Sequence, residues 1–356
     1  GLVQIGHVVP PQDIFKDYIY FSSTSDTVHK HAEYLAQSFK ERFQLHNNSF
    51  VVEIASNDGC VLNYFKNLNM KILGVEPAEN IAKVAVDSGI ETYIDFFNEN
   101  NARNIKEKYG NADVILARHV FAHVPDIHSF MRGLKILLNT NGVIAIEAPY
   151  LVDFIEKVEF DTIYHEHLSY LSLRTMSKLF EKYGMEIFDV EHFDIHGGSL
   201  IYFIGNKGTH EVNPNVGQYV ENEIQKGFDD IEVYYDFADK TSLIKTKLMS
   251  LLNQLKNDGD SIAAYGAPAK GNTLLNYCGI STDLIDYIVD KSTYKQGLYT
   301  PGTHIPVYSP EKLLEDLPDY TLLLAWNFAD EILEQQKSYL EMGGKFIIPI
   351  PDIQVV

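Results

Sequence analysis

The stretch that opens at residue 50 constrains the fold most. The apolar run Phe50-Val51-Val52-Glu53-Ile54 stops at Asn57-Asp58-Gly59. An amphipathic stretch with Leu62, Phe65 and Leu68 on one face comes next, and then a second apolar run, Lys71-Ile72-Leu73-Gly74-Val75. A short run with little polar alternation suits a strand covered on both faces, and two such runs joined by a helix form a parallel pair. Further strands are expected at 113–116 and 142–147, with a helix carrying Phe130, Leu134, Leu137 and Leu138 between them. Residues 197–203 read as the last strand of this sheet. The plan recurs near 260, as a strand at 261–265, a turn at 266–271 and a helix opening at 272. Strands at 287–289, 321–324 and 345–350 complete a second sheet. The fold class is α/β: a Rossmann-like doubly wound sheet plus a second, smaller Rossmann-like α/β domain.

The expected organisation has four parts. Residues 1–45, with Pro10-Pro11, an aromatic cluster of Tyr18, Tyr20 and Phe21 and a helix over 31–43, contribute to the active site. Residues 46–210 form the first sheet domain, 211–258 a helical connector and 259–356 the second domain. The formal charge of −20 over 356 residues repels polyphosphate backbones, which argues against nucleic-acid partners. No run approaches the roughly 18 apolar residues of a membrane span, so no membrane partner is expected. Two cysteines, Cys60 and Cys278, make no disulfide framework and read as reduced cytoplasmic thiols.

Ligands of open α/β sheets sit at the carboxyl ends of strands. The loop there is Glu53-Ile54-Ala55-Ser56-Asn57-Asp58-Gly59, and the acid Glu76 of Gly74-Val75-Glu76-Pro77 ends the next strand, where a carboxylate suits ribose hydroxyls. A dinucleotide site needs G-x-G-x-x-G to seat a pyrophosphate. This loop has one glycine and two acids, which suit instead the cationic sulfonium and amino group of S-adenosyl-L-methionine. Asp95 and Phe96 are expected to flank the adenine, and Ala117, Arg118 and His119 to face the methionine portion. An ordinary strand-to-helix turn is the bland alternative.

Phe160-Asp161-Thr162-Ile163-Tyr164-His165-Glu166-His167 gathers two imidazoles, a carboxylate and a phenol. Histidine moves protons near neutral pH and a neighbouring carboxylate can orient it. The H-x-H spacing also raises a metal, with His196 as a third ligand, or a structural polar turn; no metal is expected, since neither an H-E-x-x-H helix nor a cysteine cluster supports one. In the second domain, Gly266-Ala267-Pro268-Ala269-Lys270-Gly271-Asn272 joins a strand to a helix, where helix N–H groups and Lys270 form an anion site. A tight turn with a solvent-facing lysine is the plain alternative.

Together these segments identify a family. Asp17-Tyr18-Ile19-Tyr20-Phe21-Ser22-Ser23, the loop 53–59, Ala122-His123-Val124-Pro125-Asp126, Tyr164-His165-Glu166-His167, His196-Gly197-Gly198-Ser199-Leu200 and the 266–272 turn resemble the sugar C-methyltransferases, among them the C-3′-methyltransferase of tetronitrose biosynthesis. The resemblance spans essentially the whole chain. It implies a class I methyltransferase sheet, with S-adenosylmethionine as cofactor and a nucleotide-diphosphate-linked keto-deoxysugar, dTDP-linked in particular, as substrate. It further implies that His167 removes a proton beside the ketone and that the enolate attacks the methyl group. Tyr18, Tyr164 and Glu166 support that base, and Tyr20, His123, His196, Lys270 and Asn272 contact substrate. The second domain holds the nucleotide.

Three departures accompany the resemblance. The family's four-cysteine zinc module is absent from this sequence, and Gly1-Leu2-Val3-Gln4 resembles the residues just beyond that module, so a preceding segment is expected. His119 stands where asparagine is common, and Ala55 where glycine is usual. Competing functions are an NAD-dependent nucleotide-sugar oxidoreductase or epimerase, which would need the missing pyrophosphate loop and a Tyr-x-x-x-Lys pair, and a non-catalytic S-adenosylmethionine-binding module.

Overall fold

A computed structural model describes residues 2–15, 18–194 and 197–356. The chain divides into two compact units. One comprises Gly1–Tyr150, Leu168–Phe193 and Ser199–Lys226, and the other Leu151–His167, Asp194–Gly198 and Gly227–Val356. The division is discontinuous, unlike the sequential one expected at 45/46, 210/211 and 258/259. The segment 151–167 belongs with the C-terminal unit because Val158 and Phe160 lie in a core with Ile244, Leu248, Leu252, Leu274, Leu275 and Trp326.

The first unit holds a seven-stranded sheet: β1 (Phe50–Ile54), β2 (Lys71–Val75), β3 (Thr92–Tyr93), β4 (Ala112–Arg118), β5 (Leu138–Pro149), β6 (Met185–Phe193) and β7 (Ser199–Asn206), in the order β3-β2-β1-β4-β5-β7-β6. The first five are parallel, whereas β7 runs antiparallel to both β5 and β6. Central β1 is buried at all five positions, as its unbroken apolar run requires. The strand expected at 197–203 is β7, the last of this sheet in chain order, and β6 pairs outside it. The order reverses between β1 and β4, and that switch point is where ligands of such sheets bind.

The N-terminal helix starts earlier than its apolar spacing indicated, at Asp26–Arg42, because the Ser25 side chain caps it by accepting the Val28 N–H. Val28, His31, Ala32, Leu35, Ala36 and Phe39 are its buried stripe. The connector is two helices, Pro214–Gln225 and Glu232–Asp258, assigned to different units.

The second unit holds β8 (Ile262–Tyr265), β9 (Ile288–Val289), β10 (Val307–Tyr308), β11 (Tyr320–Leu323), β12 (Lys345–Ile348) and β13 (Gln354–Val355), ordered β10-β9-β8-β11-β12-β13 and parallel except for β13. The helix after β8 is Ala269–Cys278, so Lys270 and Gly271 lie in its first turn rather than in the expected loop. Gly271 is needed there: a side-chain carbon on it would come within 2.8 Å of Leu324 Cβ. Among the described residues no helix is long and apolar enough to cross a membrane.

Candidate functional site

The loop after β1 is built on left-handed backbone, with φ of +54° at Ala55, +52° at Asn57 and +78° at Gly59. Only Gly59 adopts such torsions without a steric penalty. Ala55→Gly is therefore expected to stabilise the fold by about 0.5–1 kcal/mol, the left-handed penalty of an alanine less the extra freedom of glycine in the unfolded chain. Urea unfolding midpoints of the two proteins check it.

Glu76, at the end of β2, ties this loop down. Its carboxylate accepts from the Asn57 and Ala78 N–H groups, each at 2.9 Å. Pro77, between Glu76 and Ala78, is half-buried. The loop in turn holds the N-terminal segment. Asn57 accepts from Ser22 N at 2.9 Å and donates to Tyr20 O at 3.0 Å, while Asp58 accepts from Ser23 N at 3.0 Å. Tyr18 is fixed through its backbone, by paired bonds with the Asn80 amide. Burial pushes the Tyr20 phenol upward.

Glu53 and Ser56 are buried, and among the described residues Glu53 Oε2 and Ser56 Oγ have no hydrogen-bond partner. Burial pushes Glu53 up to about 8 against the opposing charge of Arg118. Such orphaned atoms call for a ligand that brings donors and positive charge, and they fit the amino and sulfonium groups of S-adenosylmethionine. Ala117 is fully buried in β4. Arg118, by contrast, is committed inward, donating Nε–H to Glu147 at 2.7 Å. Glu147 also meets His31 Nε2 at 3.1 Å and His119 Nε2 at 3.4 Å. Burial alone would raise Glu147, but Arg118 and the two histidines outweigh it and hold the carboxyl well below its ordinary range. His119 takes a φ of +49°, with its N–H on the Glu147 carbonyl at 2.7 Å. Asp95 is exposed and caps Phe96 N at 2.7 Å; the half-buried Phe96 ring lies 6.5 Å from Phe15, and that of His123 lies 6.0 Å from the same residue.

In the second unit, Tyr164, Glu166 and His167 are half-buried and His165 is exposed. His167 Nδ1 lies 2.9 Å from the Thr162 carbonyl, which only accepts, so Nδ1 carries the proton. Nε2 of the neutral ring is then an acceptor, 3.1 Å from the Tyr164 hydroxyl, and the two ring centroids are 4.2 Å apart. Lys270 Nζ donates to Asn327 Oδ1 at 3.0 Å and lies 3.8 Å from the Trp326 ring centroid. Burial lowers its ammonium, while Asp161 and Glu159 act in the opposite sense. Asn272 Nδ2 donates to Pro268 O at 3.0 Å, and its buried Oδ1 has no partner among the described residues. His196 and Asp17 lie outside the described residues.

Sequence reasoning overlooked Glu147, His31, Glu159 and Trp326. Glu147 was visible as the acid ending an apolar strand, the same signal that marks Glu76. The partners of the others lie far off in sequence, as with His31 and Glu147, 116 positions apart.

A methyltransferase-domain profile matches residues 28–190, and one for the C-methyltransferase C-terminal domain matches 194–351. C-methyltransferase NovU of Streptomyces niveus is 39% identical over 356 residues, covering 100% of this chain and 85% of that protein. Among solved structures, the plantazolicin methyltransferase BpumL in complex with SAH aligns with a TM-score of 0.41 at 15% identity, over 52% of this chain and 88% of that one. A methyltransferase of Anabaena variabilis aligns at 0.40 and 13%, over 56% and 100%. With its full length matched, the chain belongs to the C-methyltransferase family and is an S-adenosylmethionine-dependent enzyme.

Proposed function

We propose that the enzyme methylates a carbon beside the ketone of a nucleotide-diphosphate-linked keto-deoxysugar, with His167 as the base. The observation that carries this reading is the state of His167: the Thr162 carbonyl keeps the proton on Nδ1 and leaves Nε2 as acceptor beside the Tyr164 hydroxyl. A neutral imidazole so oriented takes the proton α to the ketone. The phenols of Tyr164 and Tyr18 donate to the developing enolate oxygen, and Glu166 supports the imidazolium that forms. When bound, S-adenosylmethionine supplies the electrophilic methyl group that the enolate accepts. Glu53, Ser56 and Glu76 hold its charged and ribose portions, Asp95 and Phe96 the adenine, and Ala117, Arg118 and His119 line the methionine end. Tyr20, His123, His196 and Asn272 contact the sugar nucleotide. Both cysteines are free and buried, which supports work in a reducing cytoplasm. Labelled S-adenosylmethionine, offered with a panel of dTDP-linked 4-keto-deoxysugars, tests the reading. Transfer to none of them, or tighter calorimetric binding of NAD than of S-adenosylmethionine, sinks it.

The nucleotide diphosphate is assigned to the second unit, where Lys270 sits in the first turn of Ala269–Cys278, at the helix N-terminus. Lys270→Ala is expected to weaken binding of the sugar nucleotide about tenfold, the size of one charge-assisted hydrogen bond, with S-adenosylmethionine affinity unchanged. Unchanged substrate affinity with slower turnover would instead tie Lys270 to the carboxylates behind the catalytic segment.

A further inference from the structure

Two buried acids beside Lys270 are absorbed by none of these roles. Asp161 is fully buried, and its Oδ2 accepts the indole N–H of Trp326 at 2.7 Å across 165 positions of sequence. Glu159, also buried, has Gly197 packed directly against its carboxylate. Both acids act on the Lys270 ammonium. Burying two carboxylates and an ammonium is a poor way to gain stability, since apolar residues of the same volume do as well. What such a cluster supplies is one defined arrangement.

The element so arranged is the 3₁₀ turn Phe160–Thr162. Phe160 anchors one side of it in the apolar core, with its ring 5.1 Å from Tyr277. Thr162 ties back to the Glu159 carbonyl through Oγ1 at 2.8 Å and through its N–H at 3.0 Å. The carbonyl of Thr162 itself is the acceptor for His167 Nδ1. We propose that Asp161, gripped by the Trp326 indole, is a positioning residue for His167: it fixes the turn whose Thr162 carbonyl selects the imidazole tautomer. The proposal rests on His167 as the base for its catalytic consequence, though not for its structural one. A turn free to rock would lose the Nδ1–H bond. The ring would then take the other tautomer as well, with Nε2–H donating to Tyr164, and in that form it cannot accept a proton where substrate is attacked.

The test uses the full chain labelled with 15N-histidine, with dTDP-4-keto-6-deoxyglucose as the exchange probe. Wild type is expected to show a single Nδ1–H tautomer for His167. Trp326→Phe keeps an aromatic ring in the core but removes the indole N–H, and should give a mixture of tautomers. Exchange of the probe's α-proton with deuterated solvent should fall about tenfold at saturating probe, the scale of a slight misplacement. Asp161→Ala should reproduce both effects, and the double variant should be no slower than either single one, because one bond is lost in each case. Asp161→Asn, which keeps an oxygen for the indole, should retain the single tautomer. A pure His167 tautomer in folded Trp326→Phe or Asp161→Ala overturns the proposal, as does a double variant whose loss multiplies the two singles. The tautomer measurement needs no substrate, so it decides this point even if His167→Asn shows that the base lies elsewhere.

Discussion

His167→Asn is expected to abolish methyl transfer and the solvent exchange of the sugar's α-proton together, because one deprotonation feeds both. The loss should be at least 100-fold, within the range of about 100- to 10,000-fold typical of a general base. Asparagine removes the proton acceptor and little volume. Binding of S-adenosylmethionine and of the sugar nucleotide should therefore survive, and calorimetry on the variant separates binding from chemistry. Tyr164→Phe should lose less, since the other donors to the enolate oxygen remain. A His167→Asn enzyme that methylates at a near-normal rate would move the base elsewhere. His165, exposed two positions away, and His123 would then be examined.

A second large effect is expected on stability. Glu147 is 1% exposed and answers Arg118, His31 and His119 at once. Glu147→Ala leaves the guanidinium of Arg118 buried without its carboxylate, and should destabilise the first unit by about 3–5 kcal/mol in urea unfolding. Glu147→Gln keeps the volume and one oxygen for the Arg118 Nε–H, so its loss should be distinctly smaller. If the alanine variant unfolds at the wild-type midpoint, Glu147 is not the electrostatic centre of this region. The same variant removes the carboxylate beside the His119 imidazole while the His119 N–H keeps the residue-147 carbonyl, so its S-adenosylmethionine affinity reports whether the side-chain contact also shapes the cofactor site.

Local patterns in the sequence were legible where chemistry and chain order coincide. β1 and β2 occupy the runs read for them, and Glu76 ends its strand as its spacing from the loop implied, because both signals are written within about 25 residues. Helix ends were less visible. Asp26–Arg42 begins at a serine cap that lies outside the apolar stripe, and Ala269–Cys278 begins at Pro268, a residue that reads as a turn but suits the start of a helix. β6 is not legible although Met185–Phe193 carries strand residues, because Glu186, Asp189 and Glu191 interrupt its apolar pattern, and the buried Asp189 is answered by Arg42 and Asn215 from elsewhere in the chain. The Asp161–Trp326 bond could not be read at all. Nothing near either residue marks it, and it exists only once β11 and the Phe160 turn share a core.

The discontinuous path of the chain has a consequence for how the protein is made. A ribosome delivers residues in order, and Val158 and Phe160 leave it well before Trp326, a late partner in their core. At the usual pace of synthesis, the interval is on the order of ten seconds. During that time the segment bearing His167 waits for a core that is assembled piecemeal from residue 244 onward, whereas most of the first sheet is already made. The second unit therefore cannot mature as an independent tail. A fragment starting at Gly227 would lack Val158 and Phe160, and would expose the surface of the core they share with Leu274 and Leu275 in the intact chain. Premature termination anywhere before Trp326 should likewise yield a nascent chain that chaperones hold and proteases cut between Tyr150 and Leu168.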